Sequence, residues 1–140
     1  MERLESCKDD LILHMNIDKD NVAEYVYTRH LLNPPAEGFC SIEGLGGGFL
    51  NTVLRVSVGN QSVVVKQALD ALRLFSDLKV STDRIVYETE ALRVLDRLFP
   101  RGTVPSVLYF DDENRILVMS DLGKRASLET DLEKGQVDLA

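Results

Sequence analysis

The sequence predicts an α+β domain: about five antiparallel strands with one main helix packed against them, preceded by short N-terminal helices. Three observations predict it. Residues 51–58 alternate in polarity and return through Gly59-Asn60 into the β-branched run Ser62–Gln67. A second hairpin pattern joins Val107–Phe110 to Ile116–Ser120 across Asp111-Asp112-Glu113-Asn114. Between the two hairpins lies one long amphipathic segment, opened by Ser81-Thr82-Asp83 and stopped by Pro100.

In chain order, residues 1 to about 36 read as two short helices. Leu4, Cys7, Leu11 and His14 recur at helical spacing, as do Val22, Tyr25, Val26 and Arg29. Asp18 or Asp20 can cap the second helix, and Asn33-Pro34-Pro35 ends it, because the residue before a proline is pushed out of the α region. His14 and His30, the two histidines of the chain, read as exposed helical surface.

A first strand over Gly38–Ile42 leads into Glu43–Gln67, the stretch around which the chain is organised. Gly44, Gly46, Gly47 and Gly48 can take backbone angles and close approaches that side-chained residues cannot, so their loop can lie flat against a phosphate chain. Thr52, Leu54, Val56 and Val58 then share one strand face, and the return strand ends in Lys66. A glycine loop, an antiparallel return and a lysine at its end make a lid and a cation for a triphosphate. Each part alone is also an ordinary turn or an ordinary solvated edge residue. Residues 68–80 carry no readable period; Arg73 there is either a second phosphate cation or plain surface.

The long helix should run from Asp83 to about Phe99. At about 100° per residue, Ile85, Glu88, Leu92, Leu95 and Phe99 fall in one arc, with Glu90 nearly opposite among Val86, Val94 and Arg97. Glu88 thus lies amid apolar neighbours, where an unpaired carboxylate costs several kcal/mol, so it needs a cation. Lys66, on a sheet packed against that helix, is the candidate; Glu90 can be satisfied at the surface by Arg93 or Arg97. Gly102–Pro105 is a connector, and the charged tail from Lys124 has too few apolar residues for a second core.

With 140 residues, 44% of them hydrophobic, the chain suits one domain, organised as a helical segment over 1–37, the sheet domain over 38–123 and a polar tail over 124–140. A net charge of -7 argues against nucleic acid or an anionic membrane as partner, since both want a basic face. Cys7 and Cys40 are isolated, there is no apolar leader, and no stretch approaches membrane-spanning length, so the expected compartment is the cytosol.

Several stretches, in this order, carry a resemblance: Gly46-Gly47-Gly48-Phe49-Leu50-Asn51 with Val53, Arg55 and Val56; Val65–Leu69 with Arg73; Asp83-Arg84, Glu88 and Glu90-Ala91-Leu92; Val104-Pro105; and Val118–Leu122. Over residues 40–123 the sequence resembles the N-terminal lobe of the aminoglycoside phosphotransferase and choline kinase-like superfamily, and within it the methylthioribose kinases, although Gly47 stands where that branch would carry an acidic or polar residue. The resemblance implies a protein-kinase-like lobe in which Gly46, Gly47, Gly48 and Asn51 cover the phosphates of ATP. Lys66 would hold the α- and β-phosphates while pairing with Glu88. Met119 would border the adenine pocket, and backbone groups of Ser120 and Leu122 would hydrogen-bond the base. The implied cofactors are ATP and Mg²⁺, and the implied acceptor is a small alcohol such as a sugar. The family's catalytic HxD loop and magnesium aspartate would lie past the hinge; neither His14 nor His30 is followed by such an aspartate, and Asp121-Leu122-Gly123 reads as hinge rather than metal motif. The competing expectation is a non-catalytic kinase-like interaction module, pairing as a homodimer or with another protein through an exposed apolar face.

Overall fold

In the computed structural model, which describes residues 15–46, 48–71, 77–124 and 132–135, the chain forms a five-stranded antiparallel sheet with helices on both faces. The elements are α1 (Val22–Thr28), β1 (Cys40–Gly44), β2 (Asn51–Val58), β3 (Gln61–Ala68), α2 (Arg84–Leu98), β4 (Val107–Asp111) and β5 (Ile116–Ser120), with strand order β1-β2-β3-β5-β4. The expected α+β architecture is the observed one. The expected helix over Leu4–His14, the glycine Gly47 and the cation Arg73 lie outside the described residues.

Strand β3 is central and buries both faces, which is why its sequence is nearly continuous in valine rather than cleanly alternating. Val63 and Val65 join Leu54, Val56, Ile116 and Val118 in a core closed by Ile17, Val22, Tyr25, Val26 and Leu32 from the α1 side. Val64 and Ala68 join Leu117, Met119 and Ile85 in a second core on the α2 side. Lys66 shares this second face, opposite Val53 on β2 and Leu117 on β5.

Two element boundaries differ from the expectation. The first strand starts at Cys40 rather than Gly38, whose φ of +115° belongs to a turn. Helix α1 ends at Thr28 rather than at the prolines: the chain reverses at His30, with φ of +56°, and the Arg29 side chain leaves the helix to lie over the Tyr25 ring, 3.5 Å from its centroid. The entry to α1 is fixed by reciprocal bonds, the Asp20 and Asn21 amides donating to Asp18 Oδ1 and the Asp18 amide to Asn21 Oδ1.

Helix α2 begins and ends as expected, but its buried residues are Ile85 and Thr89, the latter satisfied by donating its hydroxyl to the Ile85 carbonyl at 2.7 Å. Phe99, expected on the packed arc, is half exposed, because the helix stops at Leu98 and Phe99 is already extended. Glu88 lies at the edge of the packed face rather than in its middle, with about a third of its side chain accessible.

One buried polar side chain staples the N-terminal segment to the sheet. Gln67 Oε1 accepts the Ile17 amide at 2.8 Å, while its Nε2 donates to the Met15 and Asn114 carbonyls at 2.6 and 3.0 Å. Replacing Gln67 by alanine strands these backbone groups. The expected cost is about 2 kcal/mol or more, together with lost hydrogen-exchange protection at Ile17, read by urea unfolding and exchange; unchanged protection there would exclude the staple.

Candidate functional site

The site is built on the α2 side of the sheet, where β2, β3 and β5 set three side chains in register. Val53 faces Lys66, Lys66 faces Leu117, and Val64 faces Met119, so the lysine lies in an apolar floor that Leu45, Leu92, Val107 and Phe110 extend. The ammonium finds its partner across the layer: Lys66 Nζ is 2.6 Å from Glu88 Oε1 and 2.8 Å from Oε2. With a fifth of the lysine and a third of the glutamate side chain accessible, such a pair is worth no more than about 1 kcal/mol to the fold. Its effect is positional, holding a cation at a fixed height above the strands.

The loop joining β1 and β2 lies at one edge of this floor. Among the described loop glycines, neither Gly46 nor Gly48 has a positive φ, so the freedom of backbone angle expected of them is not used at these two positions. Nor does packing demand glycine. A β-carbon on Gly46 would meet nothing within 4 Å, and one on Gly48 would come no nearer than 3.7 Å to the Asn51 carbonyl. Missing side chains that the fold itself does not require leave room for an outside group to lie against the backbone.

Arg84, at the first turn of α2, clamps the far end of the loop by donating to the carbonyls of Leu50 and, at 2.8 Å, Leu69, and it reaches Asn51 Oδ1 at 3.5 Å. The Asn51 side chain therefore meets the helix start as well as the loop. The amide of Leu45 donates to the Val53 carbonyl at 2.9 Å, closing the other end. The loop is thus tied at both ends.

At the opposite end of the floor, Met119 and Ser120 finish β5. The Ser120 amide donates to the Ser106 carbonyl at 2.9 Å and the Ser106 amide donates to Ser120 Oγ at 2.8 Å, so of the Ser120 backbone groups expected to meet a base the N–H is already engaged. Asp121 is held by Arg55, whose Nε and Nη2 donate to its two carboxylate oxygens at 2.7 and 3.0 Å, by the Ser62 hydroxyl at 2.7 Å and by the Gly123 amide at 2.9 Å. The Arg55 bonds, with those from Ser62 and Gly123, outweigh burial and bring the Asp121 pKa down to about 2. This carboxylate is committed to the strand junction. Among the described residues no group of three His, Cys, Asp or Glu side chains could hold a metal ion. Nor is any helix among them long and apolar enough to cross a membrane.

The expected residues Gly46, Gly48, Asn51, Lys66, Glu88 and Met119 therefore border one apolar floor and its loop, with Ser120 and Leu122 at its far strand end. The Arg55–Asp121 tie and the Arg84 clamp were not anticipated from sequence. Their partners lie 66 and 34 residues apart, and the only sequence signal was a charged residue on an otherwise satisfied strand or helix start.

Over most of its length the chain is similar to proteins named as kinases. It is 31% identical over 123 residues to 4-hydroxytryptamine kinase of Psilocybe cubensis, a match covering 79% of this chain and 33% of that protein. It is 35% identical over 126 residues to methylthioribose kinase of Pectobacterium carotovorum, covering 88% of this chain and 31% of that one, and 30% identical over the same length to its counterpart from Pectobacterium atrosepticum. The chain spans about a third of the length of these curated relatives. No protein-family profile matches it.

The Asp121 tie makes a pH prediction. Its folded pKa of about 2 lies below the ordinary 3.8, so its contribution is complete above about pH 4 and is lost as pH falls through 2. Asp111 acts in the same sense: burial pushes its pKa up, but hydrogen bonds from Asn114 and Tyr25 and the charge of Arg29 bring the net direction down. Unfolding free energy of the chain should drop by roughly 2 kcal/mol for the Asp121 share over that acid range, and Asp121→Asn should remove this part of the slope. An acid limb identical in the variant would refute the assignment.

Proposed function

We propose that this chain is the ATP-binding N-terminal lobe of a small-molecule kinase of the aminoglycoside phosphotransferase and choline kinase-like superfamily, allied to the methylthioribose kinases. The observation that carries the reading is the Lys66–Glu88 pair at 2.6 Å, standing on an apolar floor beside a loop in which the fold does not need glycine at Gly46 or Gly48. The similarity to 4-hydroxytryptamine kinase and methylthioribose kinase supports it from an independent direction. In this reading residues 38–123 are the lobe, residues 1–37 its leading segment and residues 124–140 the way on towards a catalytic lobe.

The chemistry follows from the placement. Phosphoryl transfer leaves little covalent work to the protein, so fixed cations and amide donors supply most of the acceleration. Lys66, held by Glu88 and unable to wander, presents its remaining ammonium donor and its charge to the α- and β-phosphates. Backbone amides around Gly46, Gly47 and Gly48 approach the phosphates from above. Adenine lies flat on Val53, Val64 and Leu117 with Met119 at its edge; since the Ser120 amide is taken by Ser106, the base is read by other backbone groups of Ser120 and Leu122. ATP brings Mg²⁺ with it as the nucleotide complex, and no residue described above is assigned to that metal. The acceptor is a small alcohol received outside this lobe, and the setting is the cytosol.

Titration of the ¹⁵N-labelled chain with ATP should shift the amides of residues 44–53 and of Lys66. Lys66→Ala should weaken that response at least about tenfold while changing unfolding free energy by no more than about 1 kcal/mol. Joined to a lobe carrying a catalytic loop, the same variant should lose phosphate transfer. Equal nucleotide response in wild type and Lys66→Ala, or none in the wild type at millimolar ATP, would refute the reading.

A further inference from the structure

Arg55 is a charged side chain on the apolar floor to which neither phosphate nor base has been assigned. It follows Val53 by two residues and so shares its face of β2, opposite Val64, which in turn faces Met119. The guanidinium stands where β5 runs out, as the Lys66 ammonium stands at the loop end. Its charge is already spent. Nη1 donates to Glu43 at 3.0 Å, while Nε and Nη2 form a fork on the two oxygens of Asp121 at 2.7 and 3.0 Å, with only 11% of the arginine and 6% of the aspartate side chain exposed.

The same fork takes hold of the backbone after Asp121. Nη2 also donates to the Gly123 carbonyl at 3.2 Å, and the Gly123 amide donates back to Asp121 Oδ1 at 2.9 Å, so both backbone groups of Gly123, with its φ of +81°, are occupied. The Leu122 amide, enclosed between these two anchored residues, has no hydrogen-bond partner among the described residues. Ser62 adds a bond to the same carboxylate at 2.7 Å, which ties β3 as well as β2 to the segment.

We infer that Arg55 is a positioning residue for the nucleobase: acting through Asp121 and Gly123, it holds the backbone of residues 121–123 in a conformation that leaves the Leu122 N–H to a ring nitrogen of a purine. The inference rests on the nucleotide-lobe reading above and names the side chain that makes its base-reading backbone rigid. A planar guanidinium fork fixes direction as well as distance, which a lysine at this position could not do. A donor held ready before the ligand arrives spares the ordering cost of binding, so the tie acts on affinity for the base and not on the phosphates.

The measurement separates base from phosphate. Dissociation constants of the ¹⁵N-labelled chain for ATP and for inorganic tripolyphosphate, read from amide shifts, should favour ATP at least about tenfold. Arg55→Gln and, as a second break in the same tie, Asp121→Asn should each weaken ATP at least about fivefold, leave tripolyphosphate within about twofold and abolish the ATP-dependent shift of the Leu122 amide. Glu43→Gln, which removes only the outer bond of the guanidinium, should change none of these. Folded variants that bind ATP as the wild type does overturn the inference and leave the nucleotide reading standing. A loss shared equally by tripolyphosphate also overturns it, since that marks a charge acting on phosphate. A wild type that answers neither ligand refutes the nucleotide reading itself, and the inference falls with it.

Discussion

Lys66 is a charged residue near the end of a strand whose two faces both carry core, and that position constrains everything around it. Strand β3 cannot turn the lysine to solvent without also turning Val63 and Val65 out of the α1-side core, because side chains alternate strictly along a strand. The ammonium is therefore pinned to the α2 face between Val53 and Leu117. Partial desolvation there is tolerable only with a carboxylate in reach, and Glu88 is that carboxylate. The register of the sheet thus dictates which helix residue must be acidic.

The surrounding polar ties hold the frame in which this cation is useful. Arg84 joins the helix start to Leu50 and Leu69, at the outer ends of the paired strands β2 and β3. Arg55 and Ser62 join the other end of those strands to Asp121, just past β5. Gln67, on the opposite face from Lys66, fastens the N-terminal segment across the sheet. Each tie is a long side chain meeting backbone or carboxylate far along the chain, so each fixes the relative height of two elements rather than stabilising one. A loop of glycines has no side chains with which to fix itself, and the clamps at its two ends take over that task.

Much of this was readable from the residues. The two hairpins, the start of α2 and the need of Glu88 for Lys66 follow from alternation, capping and the cost of a lone buried charge, all of which act over short spans or compare two strong signals. What was not readable is non-local. The period of α2 placed Phe99 among its packed residues, but where the helix stops depends on the chain after it, and Phe99 is extended and half exposed. The end of α1 was assigned to the prolines because they are the strongest local breakers; the reversal at His30 accompanies an Arg29 that reaches Asp111, 82 residues away, and stacks on Tyr25 and Tyr109. The double burial of β3 was visible as an unbroken valine run, whereas the choice of which face would carry Lys66 needed its neighbours.

Helix α2 then divides its circumference among three tasks, and the division explains its unusual sequence. Ile85 and Thr89 seat it on the sheet, Glu88 stands at the edge beside Lys66, and Tyr87, Val94 and Leu98 face away. Its two fully buried residues are a light anchor compared with the doubly covered β3. Of the two partners in the ion pair, the lysine is therefore held by a stiff sheet and the glutamate by a loosely seated helix. The pair therefore joins the two layers of the domain, its lysine placed by the register of β3 and its glutamate by the seat of α2 on the sheet.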